Sequence, residues 1–232
     1  MESARRGDSM NAREQMLGAI RRGLRRGELA GEARAAAETR LAEHPVNIVP
    51  KRSQIPRERQ IDLFEEGAKA VHATVARVAS TEVASAVTDY LAANNLPAAA
   101  VMAPDPALDR YGWKDRPMLE IRRGLPVDAD RVAITGAFAG VAETGTLIFT
   151  SGPDHPTSLN LLPETHVVIL REDDLVGAYE EVFARLRARY GEGSMPRTVN
   201  TVTGPSRTAD VEQQLELGAH GPRRMHILIV RD

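Results

Sequence analysis

The 232-residue sequence has no cysteine. That rules out disulfides, a thiol nucleophile, zinc–thiolate sites and any iron–sulfur cluster held by cysteines of this chain. Aromatic residues are scarce at 4%. No apolar run approaches the roughly 20 residues needed to cross a bilayer. The opening MESARRGDSM has no apolar core, so it does not read as a secretory signal, and the expectation is a cytoplasmic protein. A concentrated positive charge is missing too. The net charge is −2 and the pI about 6.3, which argues against nucleic acid as a main partner.

What is present is enough apolar sequence, 42%, to bury a core in one large α/β domain. Residues 1–45 read as an N-terminal helical arm and 46–232 as the main domain. In the arm, Asn11 and Glu14 form a capping-box-like start. Leu17, Ile20 and Leu24 then share a face, backed by Arg21, Arg22, Arg25 and Arg26. Without the bulky aromatics that anchor interfacial helices, this reads as a solvated arginine face rather than a membrane-surface helix, and docking of the arm on an acidic partner stays open. A second, Ala-rich helix is expected over 34–43, followed by a Pro-containing connector over 44–56.

The main domain then alternates. A helix over 56–70 turns Ile61, Phe64 and Ala68 inward, and a strand covers 73–79. Thr81 caps a helix carrying Val83, Val87, Tyr90 and Leu91, and a strand follows over 98–103. This order builds a Rossmann-like, mostly parallel sheet flanked by helices. Residues 104–130, with four prolines and the only tryptophan, Trp113, read as a long loop, either a lid or a surface excursion pinned by one aromatic. Strands are expected over 131–135, 147–150 and 166–170, then a helix capped by Asp173 or Asp174. Leu175, Val176, Tyr179, Val182, Phe183 and Leu186 would form its inner face. A strand over 197–203, a short helix over 211–217 and a last strand over 225–230 complete the chain.

Two loops that follow predicted strands could carry chemistry, because ligands bind at strand ends in open parallel sheets. In the first, Gly136, Gly140 and Gly145 allow close backbone approach. Thr144 and Thr146 add hydroxyls that could cradle an anion. Glu143 is the only acid there, a candidate general base or carboxylate nucleophile. The competing reading gives those glycines to a tight turn and Glu143 to backbone donors. In the second loop, Ser206, Arg207 and Thr208 combine hydroxyls and a guanidinium, with His220 nearby; Asp210 would complement the dipole of the next helix, and Arg207 could equally bridge to Asp210 or Glu143. His155, His166 and His220 show no metal-ligand spacing, so no metal site is expected. Ser151 and Ser158 near His155 lack a nucleophile elbow.

The run AGVAETGTLIFTSG…SLNLLPETHVVIL, joined to TGPSRTADVEQQLELGAHGP and a closing MHILIV, resembles the LUD-domain family, in its lactate-utilisation protein C branch. AREQMLGAIRRGL and HPVNIVP also look like that branch. The resemblance implies a fold similar to sugar-phosphate isomerases, coenzyme A transferases and formyltetrahydrofolate cyclo-ligases. It also implies a part in oxidising L-lactate to pyruvate beside two partner proteins, at least one bearing iron–sulfur clusters. A cysteine-free chain fits a subunit without a cluster and departs from the longer, cysteine-rich branch. The resemblance supplies no catalytic residue. Glu143 corresponds to the glutamate of coenzyme A transferases only by analogy of fold, so an autonomous transferase or isomerase using Glu143 and a non-catalytic assembly or regulatory subunit both stay open as alternatives. The cofactor is left open, with a small anion or a phosphate-bearing molecule as the expected ligand.

Overall fold

A computed structural model describes residues 11–191, 193–209 and 215–232. They fall into two compact units that divide between Asn47 and Ile48. The first holds α1 (Ala12–Gly23) and α2 (Gly31–Glu43). Asn11 caps α1, its side chain accepting from Arg13 N at 3.2 Å, as its position predicts. Neither helix buries a residue.

The second unit runs α3 (Arg57–Ala70), β1 (Thr74–Ala79), α4 (Val83–Ala93), β2 (Ala99–Met102), β3 (Glu120–Arg123), β4 (Val132–Gly136), β5 (Ala139–Val141), β6 (Thr146–Thr150), β7 (Thr165–Arg171), β8 (Leu175–Val176), α5 (Tyr179–Tyr190), β9 (Val199–Val202), β10 (Arg207–Ala209), β11 (Leu215–Leu217) and β12 (Arg224–Arg231). Six strands form one parallel sheet in the order β1-β12-β7-β4-β2-β3. A second sheet, β8-β5-β6-β9, has antiparallel β5–β6 and β6–β9 pairs. β10 and β11 make a separate hairpin.

The central strands are apolar on both faces, which is what a parallel sheet covered on both sides requires. On β7, Val167 and Ile169 pack with Val83, Val87 and Leu91 of α4. The alternate residues Val168 and Leu170 pack with Ile61, Phe64 and Ala68 of α3 and with Leu147 and Phe149 of β6. α5 closes the far side of the second sheet through Val182 and Leu186 against Val141 and Ile148. The layers are therefore α4, parallel sheet, α3 with the second sheet, then α5. Fully burying a side chain such as Phe64 contributes about 1.5–3 kcal/mol.

Several expectations need correction. The 104–130 segment contains a strand, β3, whose sequence EIRR has no apolar alternation because it lies at a sheet edge. The same segment is tied down by Trp113, whose Nε1 donates to Leu108 O at 2.6 Å. Leu175 and Val176 form β8 beside β5 instead of opening a helix, and neither Asp173 nor Asp174 caps α5. Arg57 of α3 holds this approach by donating to the carbonyls of Glu172 and Leu175. Phe183, expected inside, is 49% exposed. Leu215–Leu217 is a strand, not the end of a helix, and residues 210–214 lie outside the described residues.

Candidate functional site

The first predicted loop is largely a second-sheet hairpin. The chain leaves the parallel sheet at Gly136, enters β5, turns at 142–145 and returns as β6. Gly145 sits at φ +66°, and a Cβ there would lie 2.3 Å from Ala68 N. The turn therefore packs backbone to backbone on α3, which only glycine permits. At Gly140 a Cβ would meet Leu170 Cδ2 at 2.6 Å. Thr146 is fully buried, and its hydroxyl meets those of Thr144 and Thr203 at 2.7 Å each and of Tyr179 at 3.0 Å. The Oε1 of Glu143 accepts from Tyr179 N at 3.2 Å, at the first residue of α5. A carboxylate there complements the helix dipole. Glu181 assists by accepting from Gly177 N and Ala178 N, at 3.0 Å each. The other oxygen of Glu143, Oε2, is buried without a hydrogen-bond partner among the described residues.

The second loop lies near the opposite end of the parallel sheet from Gly136. Ser206 N donates to Pro222 O at 2.8 Å, two residues before β12 begins, and Ser206 Oγ accepts from His220 N at 3.2 Å. His220 borders a shallow hollow with Leu161, Leu162 and Glu164, beside the start of β7. Arg207 is exposed and makes no ion pair with a described residue. The side chain of Thr208 and the whole of Asp210 lie outside the described residues. Thr146 and Thr203 are thus brought together, whereas Gly136 is separated from Ser206 and His220 by the length of the central strands.

Gly136 instead borders a cleft of about 570 Å³ at the C-terminal edge of the parallel sheet, the edge where open α/β sheets bind ligands. One side carries Asp105, just after β2, with His155 Nε2 3.7 Å from Asp105 Oδ2. The other oxygen of Asp105 accepts from Ala107 N at 2.9 Å, which fixes the carboxylate. The opposite wall comes from the end of β7 and from α5. Arg171 reaches Asp173 and Asp232 at 3.4 Å each, and Arg185 lies 3.6 Å from Asp174. Burial raises the pKa of Asp174, against the pull of Arg171 and Arg185. Arg189, also on this wall, has no ion-pair partner among the described residues.

The floor contains Thr135, Thr150 and Asn160, all buried. Thr135 Oγ1 meets His166 Nε2 at 2.8 Å. His166 is completely buried beneath, and burial drives its pKa down to about 3. Its Nδ1 has no partner among the described residues. Thr150 and Asn160 are only 6% and 7% exposed, yet neither side chain hydrogen-bonds to a described residue. Neither residue is among those whose side-chain polar atoms are sealed without a partner, so the polar tips of these two otherwise buried side chains stay open at the cleft. The arrangement can bind an anion at Arg189, read polar groups at Thr150 and Asn160, and hold or pass a proton at His155. Among the described residues no three His, Asp or Glu side chains gather as a metal site.

Of this set, the sequence marks Gly136 as a ligand residue, weighs His155 and His166 only as metal ligands and gives Asp174 only a capping role. Asp105 could have been found by asking which acid follows each predicted strand. Asn160 and Arg189 had no local signal, one lying in a Ser/Pro-rich loop and the other on a helix face that reads as solvated.

Comparison with known proteins fits this architecture. A family model for the LUD domain matches residues 61–230. The chain is similar to lactate utilization protein C of Exiguobacterium sp., 33% identical over 125 residues, 53% of this chain and 54% of that protein. It is similar to the protein of that name from Bacillus subtilis, 31% identical over 153 residues, 57% of this chain and 62% of that protein. The one from Deinococcus radiodurans is 28% identical over 193 residues, 82% of this chain and 86% of that protein. The chain spans about half the length of the first of these relatives. A crystal structure of a DUF162 family protein from Deinococcus radiodurans shares the fold. Its TM-score is 0.60 at 23% identity, over 76% of this chain and 99% of that one. Because that family model takes in the parallel sheet and the cleft at its C-terminal edge, the chain belongs to the LUD-domain family.

Proposed function

We propose that this chain is a component of a cytoplasmic L-lactate utilisation system, in which lactate is oxidised to pyruvate with iron–sulfur partner proteins. In that role the cleft at the C-terminal sheet edge binds a small anion or the anionic part of a cofactor. The relatives' shared name, lactate utilization protein C, supports the pathway. The observation that carries the binding role is Arg189, a cation without an ion-pair partner among the described residues, beside the open Thr150 and Asn160. A chain without cysteine holds no cysteine-ligated cluster of its own, so electrons removed from lactate pass to a partner that does. Deleting the gene is expected to abolish growth on L-lactate as sole carbon source, and the tagged chain is expected to co-purify with a cluster-bearing protein. Undiminished growth on lactate would overturn the reading.

An autonomous transferase or isomerase acting through Glu143 is the alternative. Its support is the unpaired Oε2, but Oε1 is committed to the start of α5. Under that alternative Glu143→Gln would abolish turnover of an acyl-CoA or a sugar phosphate while leaving the fold intact.

A further inference from the structure

The cleft is large and ringed by aromatics, and both features say more about its ligand than charge alone. A volume of about 570 Å³ lies within the range of roughly 300–1,000 Å³ that encloses drug- or cofactor-sized molecules. A three-carbon acid would leave most of it to water. The sequence has just four Phe, four Tyr and one Trp, yet Tyr111, Phe138, Phe149 and Tyr190 all line this one cleft. Tyr111 and Phe149 are nearly buried, while Phe138 and Tyr190 are partly open. Partly open rings offer faces on which a flat heterocycle can stack.

The polar groups complete the pattern. Asn160 carries a donor and an acceptor side by side on one amide, which matches the paired donor and acceptor on the edge of a nucleobase or flavin-like ring. It is 93% buried by its 7% exposure, lines the cleft and has no hydrogen-bond partner among the described residues. Thr150 adds a second open hydroxyl on the same floor. Arg189 supplies a cation suited to phosphate, as a fork of N–H donors. A bare anion site would need the arginine but neither the amide nor the rings.

We propose that the cleft is a nucleotide-class site, in which Asn160 and Thr150 hydrogen-bond the edge of a heteroaromatic ring and Arg189 holds a phosphate. The inference rests on the cleft being the ligand site, and not on the lactate role. The test is calorimetric titration of the full chain with ADP, FMN and NAD+ as probes, and with inorganic phosphate and L-lactate as comparators. At least one of the three nucleotides is expected to bind with a Kd below about 1 mM, and phosphate and lactate at least about tenfold more weakly. Asn160→Ala and Arg189→Gln are each expected to weaken that binding about tenfold or more. Because Asn160 has no partner among the described residues, its replacement leaves the melting temperature essentially unchanged, which a structural role would not. The inference is overturned if none of the three nucleotides binds, if phosphate alone binds as tightly, or if both variants bind like the parent. Loss of growth on lactate in the deletion strain, together with no nucleotide binding, would sink this inference and leave the pathway role standing. Binding with undiminished growth would do the reverse.

Discussion

The turn at 142–146 and the cleft at the C-terminal sheet edge are both rich in small and polar residues, but they treat their polar groups in opposite ways. In the turn, the hydroxyls of Thr144, Thr146, Thr203 and Tyr179 satisfy one another and Oε1 of Glu143 is committed to α5, with its Oε2 the exception, buried without a partner among the described residues. In the cleft, Thr150 and Asn160 are buried and left open, and Arg189 has no counter-charge among the described residues. A network whose hydroxyls pair with one another stabilises the fold and has little left for a ligand. Polar groups that the fold leaves open at a cleft are the ones a ligand can complete.

Acid should test the whole framework hardest. His166 and His226 are held neutral by burial, with pKa values down to about 3 and about 4 against an ordinary 6.5. Below pH 6.5 the unfolded chain takes up protons that the folded chain refuses, so the stabilisation present above that pH is lost as pH falls toward the folded values. Each histidine should cost on the order of 1.4 kcal/mol per pH unit across that window. Urea midpoints at pH 7 and 4.5 check this. A flat profile would mean that His166, which bonds Thr135 under the cleft floor, is not sealed from water.

Next in size is Gly145→Ala. With φ at +66° and its new Cβ 2.3 Å from Ala68 N, the variant should lose about 3 kcal/mol or more in chemical denaturation. Unchanged stability would show that the turn is not clamped to α3 and would return its glycines to a ligand-binding role.

The sharpest contrast uses one substitution at two sites. Thr146→Val leaves Thr203 and Tyr179 each short of a partner and should cost about 1–2 kcal/mol. Thr150→Val removes a hydroxyl that bonds nothing described, and should change stability by less than about 0.5 kcal/mol in either direction. Equal losses would erase the distinction between the two regions.

A smaller loss than that of Thr146→Val is expected at Glu143. Glu143→Gln keeps the shape of the cap and removes a charge at the start of α5, for a loss of about 0.3–1 kcal/mol. Complementation of a deletion strain on L-lactate should survive this change. If growth is lost while the protein still melts normally, Glu143 has a chemical role that capping does not explain.

The strands that could be read in advance were those whose burial is symmetrical. β7 and β12 bury residues on both faces, so their sequences are near-continuous apolar runs. β3, β5 and β8 were not legible. They have four, three and two residues, too few to show a period, and β3 carries the charges of an edge strand. The helix expected from Leu175 failed for a related reason. Apolar residues at helical spacing also satisfy a short strand followed by a later helix, and pairing of β8 with β5 decided between them. At the site, glycines and threonines drew attention because those residue types can cradle an anion. The same types also suit a tight packed turn, and local sequence does not separate the two uses.

From its own letters the sequence determined the absence of cysteine chemistry, the α/β class, the parallel core strands and the family resemblance, because these depend on composition, periodicity and contiguous motifs. Only the tertiary structure decided which polar groups are spent and which remain open. Asp105, Thr150, Asn160 and Arg189 come from four separate segments that converge at one sheet edge. Whether a buried hydroxyl or amide has a partner is a property of that convergence, and no spacing along the chain encodes it.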